Sequence, residues 1–168
     1  MTWKRHSAYL RYVLRHKYYV WRGCRIVGGI PFRRAVFHDW DKFLPDEWRP
    51  YAEAFYEPDG RSRYQETPAF NLAWNRHQKR NRHHWQWWLI TWDRGDTEPL
   101  PMHETDIREM VADWIGAGWA IAGRSDPWAW YQENRENIQL HPASREILEA
   151  LLKQVHEPDL KLTVGRCG

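Results

Sequence analysis

Cysteine is scarce in this chain of 168 residues, with only Cys24 and Cys167 present. They form no C-x-x-C pair, so neither a disulfide-stapled scaffold nor a thiolate zinc site is expected. No apolar run approaches the roughly eighteen residues that a membrane-spanning helix needs, and no signal peptide is apparent. Strand-like alternation, repeats and low-complexity stretches are also missing. Charge of one sign is nearly absent, because 25 Lys and Arg stand against 22 Asp and Glu for a net +3. That balance suits a phosphorylated ligand weakly and is no nucleic-acid footprint, so nucleic acid is not the expected partner. These absences leave a cytoplasmic protein with reduced thiols and no membrane association.

Aromatic residues and histidine are abundant instead. Thirteen tryptophans and a 42% hydrophobic fraction provide for a packed core and argue against disorder. The length is that of one domain, 1–168. Nine histidines stand out, because imidazole is the commonest metal ligand and titrates near neutrality.

Helical periodicity runs through most of the chain. Residues 3–22 read as a helix with Tyr9, Val13, His16 and Val20 on one row and Lys4, Arg11, Arg15 and Arg22 opposite. Gly23 and Gly28-Gly29 mark breaks. Pro31 then suits a first helical turn, and helical spacing puts Phe32, Val36, Asp39 and Phe43 on a shared face. Pro45 opens a short helix to about Tyr56, and "EPDGRSRYQETP", residues 57–68, is a polar turn-rich loop. A longer helix is expected over 70–88, with Phe70, Ala73, His77, Asn81, His84 and Trp88 on one side and Arg76, Lys79 and Arg80 away from it. Residues 92–101 read as a loop. A helix over about 104–122 follows, with Ile107, Met110, Trp114 and Gly118 as its stripe and Glu109 and Asp113 flanking it. Asp126 caps a segment opened by Pro127, and "HPASREILEALLKQVH" closes the chain's helical pattern. The fold expected is an all-α, single-domain bundle of about six or seven helices.

The polar residues placed inward, in chain order, are His16, His38-Asp39, His77, His83-His84 and Asp113. An isolated carboxylate on an apolar row is costly, so Asp39 must be paired, protonated or metal-bound. Nitrogen and oxygen donors without thiolate suit Mn, Zn, Fe, Ni or Mg, and helix bundles build metal sites from histidines on facing helices. Each histidine alone has a plainer explanation as a hydrogen-bonded core residue, and Asp39 could pair with Lys42 one turn on. Four segments each needing a satisfied polar core group weaken that explanation jointly.

The order His, His-Asp, His, His-His, Asp resembles the HD-domain metal-dependent phosphohydrolases. "HDWDK" is similar to the HD-x-x-K variant of the HD-GYP cyclic-dinucleotide phosphodiesterases, and "RNRHHW" resembles their paired histidines. The resemblance implies an HD-like fold and two divalent ions. His38 and Asp39 would be central, Asp39 bridging, with His16 and Asp113 completing one position and His77 and His84 serving the other. A straight helix favours His84 over His83. The spacing from His77 to His83 is short for the cyclic-dinucleotide enzymes, and a Gly-Tyr-Pro signature is lacking. Where nucleotide-type members carry Glu, this chain has Lys42. The stretches "LRHKYYV", "HDWDKFLPDEWRPYAEAFY", "HQKRNRHHWQWW", "EMVADW" and "WYQENRE" look like a family of small bacterial and bacteriophage proteins of unassigned function.

The activity implied is hydrolysis of a phosphoester, first of all a nucleotide or cyclic nucleotide, by metal-activated water. Lys42 would bind phosphate or pair with a carboxylate. Glu109 or Asp41 would act as base or orient a histidine ligand. Two alternatives stay open: an HD-type di-iron oxygenase, and a non-catalytic binding protein stabilised by metal. Trp85, Trp87, Trp88 and Trp114 could stack on a base, although core packing explains them as well. Arg80 and Arg82 could reach a phosphate or simply face solvent.

Overall fold

A computed structural model describes residues 3–156 and shows an all-α fold; Cys167 lies outside the described residues. Seven α-helices are described: α1 Trp3–Val27, α2 Phe32–Phe37, α3 Pro45–Phe55, α4 Pro68–Arg80, α5 Glu104–Ala122, α6 Pro127–Asn134 and α7 Pro142–His156. Single 3-10 turns occupy Trp40–Phe43, Trp85–Trp88 and Arg135–Asn137. None of the described helices is long and apolar enough to cross a membrane.

Helix α1 passes through Gly23, where a break was expected, and stops at Gly28 and Gly29, both at positive φ. Gly23 serves close packing. A Cβ there would lie 2.6 Å from the Ala112 carbonyl oxygen, and one at Gly116 would lie 2.6 Å from the Val20 nitrogen. The two glycines let α1 and α5 cross backbone to backbone, and this is the most extensive contact among the described helices.

Other helices end earlier than periodicity predicts. After α2, His38 is extended and Asp39 adopts the left-handed conformation at φ 51°, the only non-glycine residue to do so among those described. Asp tolerates that region better than most residues. The expected Phe32, Val36, Asp39, Phe43 face therefore does not exist: Phe32 and Val36 are exposed while Asp39 is buried. Helix α4 starts at Pro68, with the Thr67 hydroxyl accepting from the Phe70 amide at 3.1 Å. It stops at Arg80 rather than continuing to residue 88, because Asn81 turns extended and its amide caps the His77 carbonyl at 2.9 Å. Where residues 92–101 were expected to be loop, a small antiparallel hairpin pairs β1 Leu89–Thr91 with β2 Thr97–Pro99. Alternation over three residues is too short to read. Helix α5 falls where its periodicity predicts, and Asp126 caps α6 by accepting from the Ala129 amide at 2.9 Å.

Two apolar clusters result. One joins the C-terminal half of α1 to α5, α6 and α7 through Val20, Ile107, Met110, Tyr131, Leu148 and Leu152. The other joins the N-terminal half of α1 to α3 and α4 through Tyr9, Val13, Tyr51, Phe70 and Ala73. His16 lies on α1 between Val13 and Val20, where neither cluster reaches.

Candidate metal centre

Between the clusters, five segments deliver ionisable side chains to one buried point. Helix α1 supplies His16, the left-handed turn supplies His38 and Asp39, α4 supplies His77, the turn after it supplies His83 and His84, and α5 supplies Asp113. All are buried except His84 and Asp113, which are partly accessible.

Their ligand atoms form two groups that share Asp39. In the first, His16 Nε2 lies 3.3 Å from Asp39 Oδ2 and 3.2 Å from Asp113 Oδ1, while His38 Nε2 lies 3.4 and 3.3 Å from the same two oxygens. In the second, His77 Nε2 and His83 Nε2 each lie 3.4 Å from Asp39 Oδ1, and His84 completes the group. A tetrahedral metal with bonds of about 2.0–2.2 Å holds its ligand atoms roughly 3.3–3.6 Å apart. The observed separations fit that spacing. Asp39 Oδ1, His83 Nε2 and His84 Nε2 are moreover buried without any hydrogen-bond partner. Three orphaned lone pairs converging at one spot are costly unless a cation takes them. The donor set and these orphans therefore fit two divalent ions, with Asp39 offering one oxygen to each.

The imidazoles are held by carboxylates behind them. His77 Nδ1 lies 3.0 Å from both Asp41 Oδ2 and Glu47 Oε2, and His38 Nδ1 lies 3.0 Å from Glu109 Oε1. With a cation in place of the Nε2 proton, a proton on each Nδ1 directed at these oxygens would leave the Nε2 lone pairs facing the centre. The carboxylates are anchored in turn. Asn81 donates to Asp41 at 2.6 Å, Arg80 to Glu47 at 2.7 Å, and Arg34 to Glu109 at 2.6 Å and to Asp106.

Charge follows the same division. Burial would raise the Asp39 carboxyl, but His38, Lys42 and His77 outweigh it and hold Asp39 well below its usual range. Burial likewise opposes the shift of Asp113, which hydrogen bonds from His16 and His38 keep low. Burial works against His38 also, yet Asp39, Asp113 and Glu109 raise it well above the ordinary value. His83 also lies near Asp39 and Glu109, but burial and His38 outweigh them and push it down to about 4, and burial takes His84 well below its usual value. Both are thus neutral and able to donate lone pairs.

The structure brings together every residue singled out as a ligand, including both members of the His83-His84 pair. His83 enters because the helix breaks at Asn81, which rotates it inward from the outer row that a straight helix would give. Lys42 is buried with its ammonium 2.6 Å from Asp39 Oδ2 and 3.1 Å from His77 Nε2. Asp41 and Glu109 stand behind histidines. Arg80 is engaged by Asp46 and Glu47, and Arg82 lies 3.4 Å from Asp106 and over the Trp87 and Trp88 rings, so neither is free for phosphate. Trp85, Trp87, Trp88 and Trp114 pack against the larger apolar cluster, and the Trp88 indole donates to the Arg82 carbonyl at 2.8 Å. Glu47 and Arg34 escaped sequence reading, and Asn81 was placed on the inward row but not recognised as the residue that caps α4 and holds Asp41. Glu47 looked like an ordinary first-turn acid of α3, and its partner His77 is 30 residues away.

A cavity of about 530 Å³ opens on the centre, with His16, Lys42, His84 and Asp113 on its inner wall and Tyr51 and Trp74 beside them. Glu109 and His83 face a different cleft, which is lined by arginines.

Compared with known families, residues 5–154 match one described as a family of unknown function, DUF5662. No curated protein and no solved structure matches the chain.

Proposed function

The chain belongs to this family of unassigned function, so its activity has to be read from the centre, and we propose that it is a metal-dependent phosphohydrolase of the HD type. The observation that carries the reading is Asp39: its two oxygens face two separate sets of imidazoles, and Oδ1 with the Nε2 atoms of His83 and His84 has no hydrogen-bond partner, beside a cavity lined by the buried Lys42. His16, His38, Asp39 and Asp113 would hold one ion and Asp39, His77, His83 and His84 the other. Divalent ions so placed neutralise phosphate oxygens and lower the pKa of bound water.

The chain's own contribution is positioning. Glu109 fixes the rings of His38 and, from 3.5 Å, His83, while Asp41 and Glu47 fix His77. Lys42 reaches the cavity wall and is placed to donate to a phosphoryl oxygen, where a charge-assisted bond is strong. Among the carboxylates, Asp113 is the ligand that lines this cavity, whereas Asp41 and Glu109 do not. The latter two therefore act through the histidines in this account. Hydrolysis forms a bond from water oxygen to phosphorus and breaks the phosphorus–oxygen bond to the leaving group, which departs with the electron pair and takes up a proton. A cytoplasmic setting with Cys24 reduced belongs to the same proposal.

Hydrolysis of bis-p-nitrophenyl phosphate and p-nitrophenyl phosphate by protein reconstituted with Mn or Zn tests the reading. Turnover is expected to disappear with chelator and to fall at least tenfold in Lys42→Ala while metal stays bound. Absence of turnover on these esters and on a nucleotide panel would overturn it.

A further inference from the structure

The cavity on the metal centre continues outward. A second chamber of about 300 Å³ shares Tyr12, Phe55 and Tyr64 with it and ends at Arg15 and Arg63. Three aromatic rings thus lie between Lys42, which lines the inner chamber with Asp113 and Glu66, and the arginines of the outer one, and Glu66 accepts from the Tyr64 hydroxyl at 3.2 Å. The rings form a continuous wall. Tyr12 and Phe55 meet edge-on with centroids 6.0 Å apart, and Phe55 stacks with Tyr64 at 5.8 Å.

The two arginines differ. Arg63 is committed to the Glu53 carbonyl and to Glu57. Arg15 makes no hydrogen bond or ion pair with any described residue, although it sits at the chamber's edge. The arginine-rich cleft on the other side of the centre also has an arginine without a described partner, Arg33, but its lining holds one phenyl ring, Phe37, and no tyrosine or tryptophan. There, Arg34 is held by Asp106 and Glu109, Arg80 by Asp46 and Glu47, and Arg82 by Asp106. A guanidinium without an acid, at the end of an aromatic groove leading to a phosphate-handling centre, is suited to bidentate binding of another phosphate.

We infer that the outer chamber is a second anion subsite, and that the substrate carries a flat heteroaromatic ring and a second phosphate besides the ester that is cleaved. The ring stacks along Tyr12, Phe55 and Tyr64, and the second phosphate binds Arg15. This inference rests on the phosphohydrolase reading for the orientation of the substrate, with the cleaved ester inward. The volume of the inner cavity lies within the usual range for small-molecule sites, and the outer chamber extends it in one direction.

The test uses calorimetric titration of the metal-loaded protein with adenosine 5′-monophosphate and adenosine 3′,5′-bisphosphate, ligand integrity being checked by chromatography. The bisphosphate is expected to bind at least tenfold tighter. Arg15→Gln, an exposed change on α1, should erase that preference and leave monophosphate affinity unchanged, and Tyr64→Ala should weaken both ligands. Equal binding of the two nucleotides by the wild-type protein, or a preference that survives Arg15→Gln, overturns the subsite. Hydrolysis of bis-p-nitrophenyl phosphate, which has neither base nor second phosphate, is measured alongside. Turnover of that ester without a bisphosphate preference sinks the subsite alone. An Arg15-dependent preference without turnover of any ester sinks the hydrolase reading and leaves the subsite standing.

Discussion

Helix α1 buries Val20, Cys24 and Val27 in one neighbourhood and His16 in another only one turn away, and the two are stabilised by opposite means. Around Val20 the partners are Ile107, Met110, Leu148 and Leu152, whose burial lowers the free energy without further help. Around His16 the partners are other ionisable groups, and several of their atoms have no hydrogen-bond partner. The apolar cluster is complete as it stands, whereas on the proposed reading a cation would complete the polar centre. The first should respond to loss of volume and the second to loss of charge or metal.

The largest effect separates the two neighbourhoods. Leu148→Ala removes a fully buried side chain and should cost about 2–5 kcal/mol in denaturant unfolding, equally with metal and with chelator. Asp39→Asn should do the reverse, leaving the chelated protein folded but abolishing any stabilisation by added metal. If Leu148→Ala removed the metal response, or Asp39→Asn kept it, the two regions would not be independent. Next in size is chelation of the wild-type protein. Ions that bind only the folded state stabilise it by about 2.7 kcal/mol at a hundred times their dissociation constant, so the melting temperature should fall by several degrees in chelator. An unchanged melting curve would count against bound metal.

A smaller effect lies within the centre. Glu109→Gln keeps the shape behind His38 but removes the charge, and metal affinity should weaken by roughly 10- to 100-fold, measured by competition with a chromophoric chelator. His83→Ala and His84→Ala should each lower metal content by about one ion, since both face the same group. Retention of full content by either variant would remove that residue from the second set. The smallest effect returns to the apolar side. Burial pushes the Cys24 thiol up to about 11, so reaction with a thiol reagent in the native protein should be far slower than after denaturation. Fast native labelling would show that the cluster opens.

The comparison also explains what could be read from the sequence. Helix α5 and the rows on α1 were legible because apolar burial imposes a 3.6-residue period, and His16 and Asp113 were found through those rows. The turn at Asp39 and the stop at Asn81 were not, because each depends on a polar side chain that satisfies its surroundings locally rather than on any repeat. Asp39 and His84 were nevertheless placed inward, by a helical period that does not hold at either, and His38 by adjacency to Asp39; the His-Asp and His-His motifs pointed to the same residues. His83 was ranked below His84 because a straight helix was carried past Asn81, where the helix in fact breaks. Glu47 and Arg34 support histidines 30 residues away and carboxylates 72 and 75 residues away, and such pairings have no local signature. The hairpin at residues 89–99 was missed for the simpler reason that three-residue strands carry no pattern.

The central claim is that Asp39 joins two metal sites. Elemental analysis of the purified protein and of Asp39→Asn, both prepared without chelator and then offered manganese or zinc, tests it most directly. The account predicts two divalent ions per chain in the wild-type protein and loss of both from the variant. No metal in the wild-type protein after reconstitution, or two ions retained by Asp39→Asn, would contradict it.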